Sequence, residues 1–230
     1  MGFDTQQTLS TSTLTCLKNN GYTFFIARVY HSYGIGFDTQ QTLSTSTLTC
    51  LKNNGYTFFI ARVYHSYGAI DTVGIQNVQN AHAAGMPTVD GYLFPCLDVK
   101  CDSGALQAKA TIDGLRAAGT TIGTLWLDIE AYHWPNDTTH NRQFILDMVN
   151  TAEAMGVKVG VYSAWYYWRD IVGLDFTDLS RLPLWWVYYN KQQTFDDFTH
   201  FGGWTVPTIH QYTGGTTIAC GLFTDLDWHP

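Results

Sequence analysis

From residue 36 onward the chain alternates between two kinds of hydrophobic spacing. Short runs in which apolar residues alternate with polar ones, or fill every position, predict strands over 36–38, 58–64, 89–97, 122–130 and 157–163. Between them, apolar residues three and four apart predict helices over 42–54, 71–84, 105–118 and 141–155. Ser44 or Thr45 is the candidate cap of the first helix, and Gly55, Gly85 followed by Pro87, Gly119 and Gly156 are the stops. Beyond 163 the pattern changes to strand-like pieces over 184–189, 208–212 and 221–227, with little helix between them. Strand–helix alternation implies parallel strands joined by right-handed crossovers. The expected fold class is therefore α/β: a single-domain β/α (TIM-like) barrel, irregular at its strand-rich end.

The residues before 36 break this frame. Gly2 to Gly34 recur letter for letter as Gly36 to Gly68, with Ile35 between them, and there is no third copy. Repeat folds need several stacked units to bury a shared core, so two identical units read instead as one working copy and one spare. The second copy runs directly into the helix expected at Asp71. Using the first would loop out some 34 residues between core elements. Residues 1–35 are therefore expected to be a redundant tail and 36–230 the domain, with Asp38 and not Asp4 in the fold. The tail carries Phe24-Phe25-Ile26, a liability for strand swapping or aggregation.

Composition narrows the setting. The chain is 45% hydrophobic and only 13% charged, which fits a folded domain. No apolar run approaches the ~18 to 20 residues of a membrane span, so no membrane partner is expected. Net charge is −7; each copy of the repeat carries one Asp, one Lys and one Arg, so the single-copy chain stands at −8. That balance argues against nucleic acid and leaves a neutral polysaccharide open. Cys16 and Cys50 are one residue in two copies, leaving four with Cys96, Cys101 and Cys220. Two disulfides, Cys96–Cys101 and Cys50–Cys220, are one reading and buried free thiols the other. Zinc is disfavoured: there is no C-x-x-C and no pair of His at helical ligand spacing, so neither metal nor cofactor is expected. Met1 runs straight into Gly2-Phe3-Asp4 without a signal peptide, while Asn136-Asp137-Thr138 is a glycosylation sequon that hints weakly at export.

The chemistry concentrates in Thr124-Leu125-Trp126-Leu127-Asp128-Ile129-Glu130. Alternation sends Leu125, Leu127 and Ile129 towards the covering helices and Trp126, Asp128 and Glu130 into the barrel. Two carboxylates on an inward face, at the C-terminal end of a strand, stand where barrels of this class keep their active sites. Burial and mutual repulsion raise the pKa of one of them, which suits a general acid. The bland alternative makes Asp128 a helix cap and Glu130 a surface ion-pair partner. Asp38 ends the first strand and Asp225 sits on the last, and in a closed barrel these strands are neighbours. Aromatic side chains collect at the same strand ends: Tyr64, Tyr92, Tyr162, Trp185, Trp186, Tyr189 and Tyr212. Rings beside acids suit sugars, although each ring alone is more simply read as core. Alternation puts Tyr162 and Trp185 on the inner face. No G-x-S-x-G, P-loop or dinucleotide fingerprint is present.

At these residues the chain resembles glycoside hydrolase family 25, the lysozymes that cleave peptidoglycan between N-acetylmuramic acid and N-acetylglucosamine. The resemblance covers 36–230. It rests on Gly36-Phe37-Asp38, Trp126-Leu127-Asp128-Ile129-Glu130, Gly160-Val161-Tyr162-Ser163, Pro183-Leu184-Trp185-Trp186, His210-Gln211-Tyr212 and Asp225-Leu226-Asp227. The stretches at 50–55 and 94–96 resemble the secreted eukaryotic branch. The resemblance implies a flattened barrel with an acidic groove, and Glu130 as proton donor. Asp128 would orient the substrate's N-acetyl group in substrate-assisted retention. It implies binding or charge-tuning roles for Asp38 and Asp225, Asp38 counted with the catalytic acids and Asp225 with Tyr162, Trp185, Tyr189, Gln211, Arg62 and Tyr64 as substrate-binding candidates. Asp227 stands where many members have Asn. The partner implied is bacterial peptidoglycan, met by a monomer in a secreted, extracellular or lysosomal or phagosomal setting. A non-enzymatic sugar-binding protein, or an enzyme silenced by the extra copy, is the second reading. A chitinase-like enzyme is the third, disfavoured because Trp126 and Gly123 occupy the upstream acid positions of D-x-x-D-x-D-x-E.

Overall fold

The computed structural model describes residues 2–5, 24–27 and 34–230, which divide into two units at Tyr33/Gly34. In the first, strands β1 (Gly2–Thr5) and β2 (Phe24–Ala27) pair in parallel. The rest of the first copy, Cys16 included, lies outside the described residues.

The second unit is a closed barrel. Its strands are β3 (Gly34–Thr39), β4 (Tyr56–His65), β5 (Ala69–Ile70), β6 (Thr88–Leu93), β7 (Thr124–Asp128), β8 (Lys158–Ser163), β9 (Leu184–Val187), β10 (Ile209–Thr217) and β11 (Phe223–His229). The sheet runs β3-β11-β10-β9-β8-β7-β6-β4-β5, and β3 pairs again with β4 to close it. From β3 through β4 and β6 to β10 the barrel neighbours are parallel, while β11 lies antiparallel between β10 and β3. Short β5 pairs back on the end of β4.

Helices α1 (Thr45–Asn53), α2 (Thr72–Ala83), α3 (Gly104–Ala117) and α4 (Thr138–Ala154) form the outer layer. Each starts where a short oxygen-bearing side chain satisfies a free backbone N–H of the first turn: Ser44, Asp71, Ser103 and Asp137. Outward strand residues such as Phe59, Val63, Leu125 and Leu127 pack beneath helical Leu48, Val78, Ile112 and Met148. The second copy of the repeat thus supplies β3, α1 and β4 of the barrel unit.

Past β8 the sequence pattern shows little helix, and the structure has one short helix there, α5 (Trp165–Ile171). Seven residues are too few to display a helical period. Aromatic loop residues cover the barrel on this side. Trp168 meets Phe176 and Trp204 at ring-centroid distances of 5.7 and 4.9 Å. The Trp168 and Trp204 indoles donate to the carbonyls of Phe176 and Leu182 at 3.1 and 2.8 Å. Irregular backbone carbonyls are thereby satisfied without a helix.

Both expected disulfides are present, Cys50–Cys220 and Cys96–Cys101, with Cα separations of 6.3 and 5.9 Å. The first closes a separation of 170 residues, for which loop-closure entropy assigns about 5 kcal/mol of stabilisation.

Inside the barrel a second apolar cluster joins Phe58, Ile60, Trp126, Tyr162, Trp185 and Ile209. Its large rings fit because the facing residues are glycines. A Cβ on Gly160 would lie 2.4 Å from the Trp126 ring, and one on Gly36 2.3 Å from Phe58. Gly160→Ala should therefore destabilise the protein by about 1 to 3 kcal/mol through overpacking, measured as a lower denaturant midpoint.

Candidate active site

The groove at the C-terminal strand ends follows from strand register. On β7, Trp126 pairs with Gly160 and Asp128 with Tyr162 of β8. One further ladder bond, Ile129 N–H to the Tyr162 carbonyl at 2.9 Å, carries the alternation past the strand end. Trp126 and Asp128 point inward while Leu125, Leu127 and Ile129 are buried against the outer layer. Opposite, antiparallel β11 sets Asp225 directly across from Asp38 of β3 and Asp227 across from Gly36. The result is an open cavity of about 320 Å³ whose acids are Asp38, Asp128, Glu130 and Asp225, with Tyr92, Tyr162, Trp185 and Tyr189 as its aromatic walls.

Gln211 ties the two sides together. Its Nε2 donates to Asp38 Oδ2 at 2.7 Å, while its Oε1 accepts from the Tyr162 and Tyr189 hydroxyls at 2.8 and 3.0 Å. Asp225 accepts from Gly215 N–H at 2.6 Å, and Asp227 accepts from the Trp185 indole at 2.8 Å. Below them, buried Asp90 accepts from the Trp126 indole and from Thr124 N–H at 2.9 and 2.8 Å, clamping β6 to β7. Arg62 reaches the rim, held by Asp71 at 2.8 Å and bonded to Gln40. Asp128 is buried, and its Oδ1 has no hydrogen-bond partner.

Nine of the ten expected site residues meet here: Glu130, Asp128, Asp38, Asp225, Tyr162, Trp185, Tyr189, Gln211 and Arg62 all line the groove. Tyr64 does not. The β4–β6 register slips between Arg62 and Tyr64, and Tyr64 turns into the outer apolar layer beside Val63. A bulge of this kind inverts alternation, and nothing in the strand's composition announces it. Trp186 likewise faces outward, stacked on His210 at 4.2 Å. Gln40, Gln41 and Phe94 also line the groove. They sit just beyond strand ends, where periodicity carries no signal. Asp90 had one, an acid inside an otherwise apolar strand.

The carboxyls hold their protons unusually tightly. Burial, then the charge of Asp225, pushes Asp38 up to about 8. Burial, then Glu130 and Asp38, holds Asp128 well above the ordinary carboxylate range. Glu130 is raised by burial and by Asp225, and Asp225 and Asp90 by burial. An acid with a raised folded-state pKa contributes stability that is complete below its unfolded value and is lost as pH rises through its folded one. The window here opens near the ordinary carboxylate values of about 4 and extends to about 8 for Asp38. Thermal unfolding followed against pH should accordingly give a Tm that is highest at about pH 4 to 5 and declines steadily towards pH 8.

Comparison with known proteins agrees with this architecture. The family model for Lysozyme-like protein 1 matches residues 31–212. Lysozyme-like protein 5 of Caenorhabditis elegans is 53% identical over 229 residues, covering 100% of this chain and 91% of the relative. A probable glycoside hydrolase family 25 lysozyme of Dictyostelium discoideum is 37% identical, covering 100% and 90%. Among solved structures, a family 25 lysozyme from Aspergillus fumigatus superposes with a TM-score of 0.68 at 21% identity, covering 86% of this chain and 94% of its own. A muramidase from Trichobolus zukalii gives 0.65 at 23% identity, covering 86% and 93%. The structural neighbours share the fold, and the closer relatives share the family: the chain belongs to the lysozyme-like proteins of glycoside hydrolase family 25 and is a glycoside hydrolase.

Proposed function

We propose that this protein hydrolyses the β-1,4 bond between N-acetylmuramic acid and N-acetylglucosamine in bacterial peptidoglycan, with retention assisted by the substrate's own N-acetyl group. The observation that carries the reading is the unpartnered Oδ1 of buried Asp128, two residues before Glu130 in the groove wall. A buried acceptor without a donor is costly unless a ligand supplies one. An acetamide N–H is the donor that a 2-acetamido sugar brings.

In this reading Glu130 gives its proton to the glycosidic oxygen as the C–O bond breaks. Its raised pKa keeps that proton on the acid to a higher pH than an ordinary glutamate allows. The acetamido oxygen attacks the anomeric carbon while Asp128 Oδ1 accepts its N–H, so positive charge forms on the substrate's ring beside the Asp128 carboxyl. Water then opens that ring, and Glu130 takes a proton back as general base. Asp38 and Asp225 line the groove around the developing cation and accept hydrogen bonds there. Tyr162, Trp185 and Tyr189 offer ring faces and edges to the sugars, and Arg62 and Gln40 polar contacts at the rim.

Two disulfides fit an oxidising compartment, and we place the protein outside the cell or in a phagosomal lumen, acting as a monomer. Among the described residues no helix is long and apolar enough to cross a membrane. The first copy of the repeat is redundant in this reading. Deleting residues 2–33, which spares β3, should leave both Tm and activity equal to or above those of the full chain.

Purified peptidoglycan digested by the protein should yield new muramic-acid reducing ends by mass spectrometry, with the β configuration at first release by NMR. Glu130→Gln and Asp128→Asn should each lower kcat by about 10² to 10⁴-fold without lowering Tm. Undiminished turnover in Glu130→Gln would remove Glu130 from the proton-donor role.

A further inference from the structure

We propose that Asp227 is a positioning residue that shares a proton with Asp38, so that the two carboxyls act as one hydrogen-bonded unit beneath the groove. Antiparallel β11 puts Asp225 opposite Asp38 and Asp227 one pleat further on, opposite Gly36. Residues two apart share a face, so Asp225 and Asp227 both enter the barrel on the side of Asp38. Gly36 carries no side chain, and the diagonal from Asp227 to Asp38 is open.

Asp227 is fully buried and Asp38 nearly so, at 0% and 7% exposure. Each has one oxygen held by a neutral donor: the Trp185 indole on Asp227 Oδ1 at 2.8 Å, and Gln211 Nε2 on Asp38 Oδ2 at 2.7 Å. Asp227 Oδ2 has no donor from any neighbouring group. The nearby hydroxyls of Tyr162 and Tyr189 are spent on Gln211 Oε1. The two carboxyls nevertheless lie within hydrogen-bonding contact of each other. Ionised carboxylates only accept, so a bond between them requires a proton on one. The shared proton satisfies the orphan oxygen and removes one charge from a crowded interior.

Among the described residues, the titratable groups facing the pair are mostly acids and phenols. Asp225 lies on the same strand, Asp128 and Glu130 come from the end of β7, Tyr92 from β6, Tyr162 from β8 and Tyr212 from β10. Arg62 of β4 is the facing cation, and Asp71 already holds it. Burial and these acids raise both members of the pair, which is the behaviour of two carboxyls sharing a site. At alkaline pH, beyond the raised values of both carboxyls, the shared proton leaves. Two anions then face each other, and Asp38 is no longer held in line with Gln211.

An asparagine at 227 meets both contacts without a proton: its oxygen accepts from Trp185 and its amide donates to Asp38. Asp227→Asn should therefore bind about one proton fewer at pH 6 to 7, seen as a shallower decline of Tm between pH 4 and 8. The infrared carbonyl band of protonated Asp, edited by ¹³C-aspartate labelling, should weaken at pH 7. The alkaline limb of kcat/KM should move up by about one pH unit. If Asp227→Asn folds poorly, Asp38→Asn tests the same proton count, and the labelled wild-type protein should itself retain the protonated-carboxyl band at pH 7. A purely structural Asp227 would instead lower Tm equally at every pH, with slope and band unchanged, and that result would overturn the proposal. Proton counting needs no substrate, so its outcome is independent of whether the groove cleaves peptidoglycan.

Discussion

The site depends on how the barrel closes. Six parallel pairings bring the strands round from β3 to β10, and a single antiparallel strand, β11, fills the remaining gap. Without that strand the acid at the first strand end would face solvent, far from a partner. With it, Asp38 has Asp225 directly across the ladder, and both look over the barrel mouth at Asp128 and Glu130. The acidic groove is thus a product of closure: each acid alone would be an ordinary strand-end carboxylate.

Closure also creates the main energetic tension. A barrel interior that is apolar around Trp126 and Trp185 is a poor solvent for carboxylates. Protons and aromatic N–H groups resolve it. Trp185 and Trp126 each contribute ring surface to the core and an indole hydrogen to an acid, Asp227 and Asp90. These tryptophans link packing to electrostatics, since the ring that fills the barrel also fixes a carboxyl. Space for Trp126 comes from Gly160 on the neighbouring strand, as Gly36 makes room for Phe58, so the small residues of β3 and β8 belong to the site as much as its acids do.

Much of this was legible in the chain. Strict alternation through 124–130 separates an apolar outer face from an acidic inner one, and the structure keeps that separation. The strand and helix order follows from spacing, and Ser44, one of the two candidate caps, stands where the first helix begins. What was hidden has a common cause. Tyr64 turned outward at a register slip, α5 is too short to show a period, and Gln211 takes its place through partners 22 to 173 residues away. Periodicity reports the environment of a single strand. It does not report slips between strands, nor bonds made only once the sheet has closed.

The Cys50–Cys220 bond gives the closed barrel a topological property as well. Everything from the end of α1 to the turn before β11, including Asp128 and Glu130, lies within one covalent ring. Asp38 and Asp225 lie on the two arms outside it, and those arms hold each other as adjacent strands. A protease that cuts any loop of the ring once opens it into a linear chain still joined at the disulfide, and no fragment can diffuse away. A nicked molecule therefore keeps all four acids on one covalent body.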